Sequence, residues 1–313
     1  MRLLQLNSAG ELSLTMNFVD NIPKYGILSH TWGADQEEVT FQDLAAGISK
    51  SKAGYSKIRF CGEQARCDGL EYFWVDTCCI DKSNWTELAE AINCMFRWYQ
   101  NAAKCYVYLS DIWIRNLEAS DPFSESTLES AFRSSRWFTR GWTLQELLAP
   151  GPDSIKFFSQ EGDYLGDKNT LERQIHEITG IPITGLRGAP LSQFTVNERL
   201  SWTKNRKTKR KEDKVYSLLG IFSVYMPLIY GEGEENAFLR LSEQIDRDAK
   251  GGLVQQREPL TYLPLKDSEV RLLILNAGHQ GTEIIADIVV YDIQDSVTLK
   301  YDALSYTWGH EPC

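Results

Sequence analysis

The sequence predicts an α/β protein: a parallel sheet with flanking helices in the first half, elaborated by a mainly helical C-terminal half. Three observations predict it. Between Tyr25 and Asp111, short apolar runs alternate with stretches of helical periodicity, the β-α-β-α-β order in which crossover helices cover a parallel sheet. After Asp111, helical periodicity dominates. The composition, 42% apolar and 24% charged over 313 residues, belongs to a globular chain that buries a real core.

The strands are read at 26–31 (GILSHT), 71–76 (EYFWVD) and 104–109 (KCYVYL), each bounded by polar or glycine-containing segments. The first connecting helix, near 54–68, gathers Tyr55, Ile58, Cys61 and Ala65 on one face. The second, near 85–101, gathers Leu88, Ile92, Met95, Phe96 and Tyr99, the stripe of a helix packed on a sheet. Residues 115–135 are polar and Ser-rich and are expected to form a loop or poorly ordered insertion. An Arg-Gly-Trp segment with a helix at 140–148, a strand at 155–158 (IKFF), and helices near 169–179, 195–203, 212–222 and 235–249 follow. Within 140–148, Trp142 and Leu144 read as core anchors, and Arg140 with Glu146 as an ion pair joining the helical half to the sheet.

Two segments recur in the same order. Tyr25-Gly-Ile-Leu-Ser-His-Thr-Trp-Gly33 returns as Tyr301-Asp-Ala-Leu-Ser-Tyr-Thr-Trp-Gly309, and Arg2-Leu-Leu-Gln-Leu-Asn7 as Arg271-Leu-Leu-Ile-Leu-Asn276. The organisation expected is one module over 1–250, a linker at 251–258 carrying Gly251 and Gly252, and the truncated start of a second module at 259–313. Within the first module the sheet core is about 20–111 and the helical elaboration 112–250.

The net charge of −10 opposes binding to phosphate backbones and anionic membranes, so nucleic acid is excluded as the main partner. The dense basic run 204–211 (KNRKTKRK) carries no aromatic platform for single strands; it reads as a solvated loop, with phosphate binding or a nuclear signal as alternatives. Seven cysteines without zinc spacing, no signal-peptide h-region and no apolar run long enough to span a membrane point to a reduced, cytoplasmic protein with no metal site.

Ligands of open α/β sheets bind beyond the carboxyl ends of the strands. That rule nominates Ser29, His30, Thr31 and Trp32 after the first strand, Asp76 and Thr77 after the second, Ser110 and Asp111 after the third, and Glu87 at the start of the second helix. Each has a plainer role. Glu87 stands three residues after Asn84 and fits the N3 place of a capping box, while a carboxylate fixed there can also bind a ribose diol and stabilise an oxocarbenium ion. Asp76 is either a loop cap or a ligand group, and Trp32 either a packed plug or a stacking platform for a nicotinamide or adenine ring. A nucleophilic Cys78 or Cys79 paired with His30 is the minor alternative.

Five segments, YGILSHTWG (25–33), FWVDTCCIDKSNWTELAEAIN (73–93), SRWFTRGWTLQELLAP (135–150), WTKNRKTKRKEDKVYSLLGIF (202–222) and YGEGEENAFLRL (230–241), together resemble the fungal heterokaryon incompatibility (HET) domain, in order over residues 1–250. HET domains are similar to TIR domains, which implies a flavodoxin-like parallel sheet. Enzymatic TIR domains cleave NAD at the nicotinamide–ribose bond with a glutamate on the helix after the second strand. WTELAEAI (85–92) matches that helix start. The resemblance therefore implies Glu87 as catalytic residue, Ser29, His30, Trp32 and Asp76 lining the ligand site, NAD as substrate and no permanently bound cofactor. It also implies a cell-death effector in non-self recognition, with protein partners of that pathway and self-association. The alternative is a non-enzymatic module that triggers death by assembling with partners. The helical half 112–250 departs from the TIR pattern.

Overall fold

The computed structural model of the chain describes residues 1–7, 10–114, 124–251, 269–275 and 286–292. The chain divides into two compact units, Met1–Leu253 and Val254–Cys313.

The first unit is built on a seven-stranded sheet of order β2-β1-β4-β3-β5-β6-β7. Its centre is parallel: β4 (Tyr72–Trp74), β3 (Tyr25–His30), β5 (Lys104–Tyr108) and β6 (Ile155–Phe158). The consecutive residues Phe73 and Trp74 show why the centre is apolar throughout, because neighbours on a strand face opposite sides. Phe73 lies against Gly62 of α2 (Tyr55–Cys67), which follows the short α1 (Phe41–Ala45), while Trp74 makes edge contacts with Trp98 and Tyr99 of α3 (Trp85–Asn101). Helices thus cover both faces, and every residue of β3 is buried. Tyr25 and Tyr99 bind α3 to the first strand, donating to Trp98 O at 2.6 Å and Leu28 O at 2.8 Å.

Taken in chain order, the parallel strands lie second, first, third, fourth, the flavodoxin-like order, whose switch point falls between β3 and β5. Antiparallel strands close the edges. β1 (Leu4–Leu6) pairs with β4 and with β2 (Leu12–Leu14), and β7 (Tyr164–Asp167) pairs with β6 across a bulge at Phe157/Phe158. These three strands escape a periodicity reading because three or four residues hold too few alternations. The β1–β2 turn is closed by Asn7, whose side chain accepts from Glu11 N at 2.8 Å, and by Gly10 at φ +75°, a conformation that favours glycine.

The second half comprises α4 (Ser124–Ser134), α5 (Thr143–Leu148), α6 (Glu172–Thr179), α7 (Ile183–Leu186), α8 (Val196–Ser201), α9 (Asp213–Tyr216) and α10 (Gly233–Gly251); α5 packs on β3 and α3, α6 on α4 and α7, and α10 on α9. Helix α4 corrects the expected loop at 115–135, of which residues 115–123 lie outside those described. Its anchor is Phe132, which meets Phe138 and Phe157 edge-on at 5.1 and 5.5 Å. The helix expected at 212–222 is a single turn, α9, followed by turns that bury Leu218, Leu219, Ile221 and Phe222. Gly220 brings this segment onto α3 so closely that a Cβ would stand 2.0 Å from Phe96 Cβ.

In the second unit, β8 (Glu269–Leu275) and β9 (Ala286–Asp292) form an antiparallel hairpin. The repeat residues Arg271–Leu275 lie in β8, and Leu4–Leu6 of their counterpart form β1. The repeat Tyr301–Gly309 and linker residues 252–258 lie outside the described residues.

Candidate functional site

The carboxyl rim of the parallel strands gathers three of the nominated residues. His30 ends β3, Trp32 follows it, and Asp76 stands two residues beyond β4. His30 Nε2 lies 2.9 Å from Asp76 Oδ1, and Trp32 Nε1 donates to Asp76 Oδ2 at 2.8 Å. Both carboxylate oxygens are thereby fixed. The His30 side chain is 2% exposed and that of Asp76 20%, so Asp76 is the more accessible of the two. Burial, then the Lys57 charge, lowers the His30 pKa against the pull of Asp76. His30 therefore meets the carboxylate as a neutral Nε2–H donor, and its buried Nδ1 has no partner among the described residues. Burial works against ionisation of Asp76, but the donors His30 and Trp32 and the Lys82 charge outweigh it and hold the carboxyl well below the usual range. Lys82 Nζ sits 3.8 Å over the Trp32 ring. Behind the rim, Lys57 pairs with Glu38 at 2.5 Å, and Glu38 accepts from Gly33 N at 2.6 Å, pinning the turn that carries Trp32.

Ser29 lies beneath this rim rather than on it. It is fully buried, donates to Glu146 Oε2 at 2.5 Å and accepts from Trp137 Nε1 at 2.8 Å. Glu146 does not form the expected ion pair with Arg140, which acts on it only at longer range. Burial pushes its carboxyl up to about 8, against the Ser29 hydrogen bond. Arg206, also buried, donates to Arg140 O and Thr143 Oγ1, both at 2.8 Å, and burial lowers its pKa to about 9. At neutral pH the core holds a protonated Glu146 near a charged Arg206. The anchor role read onto Trp142 belongs to Trp137: Trp137 is fully buried, and Trp142 only half-buried.

Glu87 occupies the first turn of α3, whose N-cap Asn84 accepts from Thr86 N at 3.1 Å and Glu87 N at 3.2 Å. Its side chain does not return to Asn84 as a capping box requires. Glu87 Oε1 accepts from Asp81 N at 2.9 Å and pairs with the Arg2 guanidinium. A cleft of about 270 Å³ opens beside it, lined by Arg2, Asn17, Asn84, Glu87, Glu90 and Trp98 among others. Glu87 and Asp76 stand on either side of the 77–84 loop, and among the described residues no hydrogen bond joins them or joins Glu87 to Ser29, His30 or Trp32.

Residues 25–125 match the family model of the heterokaryon incompatibility protein (HET). The chain carries a HET domain. Over 249 residues, 79% of its length, it is 57% identical to vegetative incompatibility protein HET-E-1 of Podospora anserina, and it spans 18% of that protein. No solved structure matches the chain.

Other candidates resolve into structural roles. Cys78 and Cys79 are buried, Cys79 Sγ accepts from Val75 N, and burial raises the Cys78 thiol well above its ordinary value, which is the reverse of an activated thiolate. Thr31 and Ser110 bond each other at 3.1 Å across the switch point. Asp111 caps the 3₁₀ turn at Arg136 by accepting from Ser135 Oγ and Arg136 N. The basic run is a clip rather than a free loop: Lys207 pairs its backbone with Thr139 and Gly141, Lys209 binds Asp35, Arg210 covers Tyr230, and Arg206 enters the core. Among the described residues no group of three His, Cys, Asp or Glu could hold a metal ion, and no helix is long and apolar enough to cross a membrane.

Proposed function

We propose that this HET domain is a cytoplasmic cell-death effector of heterokaryon incompatibility and fungal non-self recognition, and that it acts by cleaving NAD at the nicotinamide–ribose bond. The observation that carries the reading is the place of Glu87: its carboxylate is held at the start of a long helix, on the carboxyl rim of the sheet, beside a cleft. There it would face a ribosyl centre. The C1′–N bond breaks, its electron pair leaves with nicotinamide, and the carboxylate stabilises the positive charge left on the ribose until water adds to C1′ and releases a proton. Asp76, ionised and oriented by His30 and Trp32, would accept from a ribose hydroxyl, and the Trp32 ring would support the base if Lys82 withdrew. Protein partners of the incompatibility pathway, and self-association, belong to the same proposal.

A second reading is a non-enzymatic assembly module. It is favoured by the packing of Ser29 under Trp137 and Glu146 and by the pairing of Glu87 with Arg2, both of which use polar groups a ligand would need. Purified protein incubated with NAD separates the two. Release of nicotinamide that falls at least about a hundredfold in Glu87→Gln, with the thermal midpoint unchanged, is expected of the enzyme. Cell killing by Glu87→Gln at matched protein level, equal to wild type, would leave the assembly module.

A further inference from the structure

Arg2 reaches Glu87 because of how the first strand is laid down. β1 runs antiparallel to β4 with Leu4 opposite Phe73, so the register carries Arg2 to the level of Val75, at the rim where α3 begins. Its guanidinium stacks over the Phe41 ring at 4.9 Å and pairs with Glu87 Oε1, and both residues line the same cleft. The pair alters what the carboxylate can do. A lone carboxylate stabilises a cation several ångströms away, whereas a carboxylate in contact with a guanidinium presents a dipole whose field falls off much faster. Among the described residues nothing donates to Glu87 Oε2; the Met1 amine also acts on Glu87 across the cleft, and Arg2 is the cation in contact with it.

The strand that delivers Arg2 is firmly seated between β4 and the edge strand β2, with Leu3 and Leu4 fully buried and the Met1 amine donating to Phe18 O at 2.7 Å. What can move is the Arg2 side chain. The ion pair is partly solvated, with side-chain exposures of 25% and 23%, so it is worth little and is screened by salt.

We infer that Arg2 is an autoinhibitory latch on Glu87, closed while its guanidinium pairs with the carboxylate and opened when that side chain turns away. This rests on the NAD-cleaving reading of Glu87. The test measures nicotinamide release from NAD by the purified full chain as wild type, Arg2→Ala, Arg2→Gln, Arg2→Lys, Glu87→Gln and the Arg2→Ala/Glu87→Gln double variant, at about 50 and 300 mM salt. The latch predicts turnover about five- to tenfold above wild type in Arg2→Ala and Arg2→Gln, little change in Arg2→Lys, and loss in both variants carrying Glu87→Gln. Wild type should gain with salt, and Arg2→Ala should not. Arg2→Gln keeps the stem that packs on Phe41 and serves if Arg2→Ala unfolds. Turnover unchanged or lowered by removing Arg2, with activity still lost in Glu87→Gln, overturns the latch and leaves Glu87 catalytic. Activity indifferent to Glu87→Gln, or none in any variant, overturns the NAD-cleaving reading and the latch with it.

Discussion

Replacing Glu146 by Gln should make the protein more stable at neutral pH while leaving it nearly unchanged in mild acid. In the fold, burial raises the Glu146 carboxyl to about 8 from an ordinary value of 4.5, with Ser29, Arg140 and Arg206 drawing it partly back. Between those values the unfolded chain has released the proton that the native chain keeps. The native state then binds more protons, and stability falls as pH rises. The loss is absent below about pH 4.5 and complete above about pH 8. Each pH unit inside the window costs about 1.4 kcal/mol, so moving from pH 5 to pH 7.5 removes on the order of 3 kcal/mol. Gln cannot ionise, and its amide oxygen can still accept from Ser29 Oγ, so the variant lacks this contribution to the pH slope. Urea midpoints of both proteins at half-unit steps from pH 5 to pH 8 supply the difference, and groups common to the two cancel. The variant should gain about 3 kcal/mol relative to wild type across the series. A difference that stays constant with pH would show that Glu146 is ionised in the native core and that the reading of the Ser29–Glu146 bond is wrong.

Three further substitutions probe packing. Gly220→Ala places a methyl group inside the van der Waals radius of Phe96 and should cost about 1–3 kcal/mol, seen as a lower midpoint in urea; an unchanged midpoint would mean that the 217–224 turns can withdraw from α3 freely. Trp137→Ala removes a fully buried indole and the hydrogen bond it donates to Ser29 Oγ, so it should cost about 3–5 kcal/mol, while Trp142→Ala at a half-buried position should cost clearly less; equal losses in thermal melts would refute the exchange of anchor from Trp142 to Trp137.

The parallel centre of the sheet was legible because each of its strands is an apolar run flanked by polar breaks, and because α2 and α3 carry unbroken helical stripes. Its edges were not. β1, β2 and β7 owe their existence to neighbours already in place: Leu4 is a strand residue because Phe73 stands beside it. Helix α4 was hidden for a similar reason. Serines dominate its sequence, and one well-placed Phe132 against Phe138 and Phe157 decides the matter. The single turn α9 shows the reverse error, in which a run with helical spacing is bent by close packing of Gly220 on Phe96.

The rim residues divide along the same line. Strand ends identify themselves locally, which is why His30, Trp32 and Asp76 could be nominated together and why the fold joins them through one carboxylate. Partners distant in sequence left no such trace. Ser29 finds Glu146 across 117 positions, and Glu87 finds Arg2 across 85, so neither pairing follows from spacing. Both pairings change the chemistry of a residue whose identity was legible: Ser29 becomes a core hydroxyl that fixes a buried acid, and Glu87 becomes a carboxylate balanced by a guanidinium. Type and position along the chain nominate a group for chemistry. Its charge state and freedom are set by whatever the topology places opposite it, and here the antiparallel strand β1 places a cation opposite Glu87.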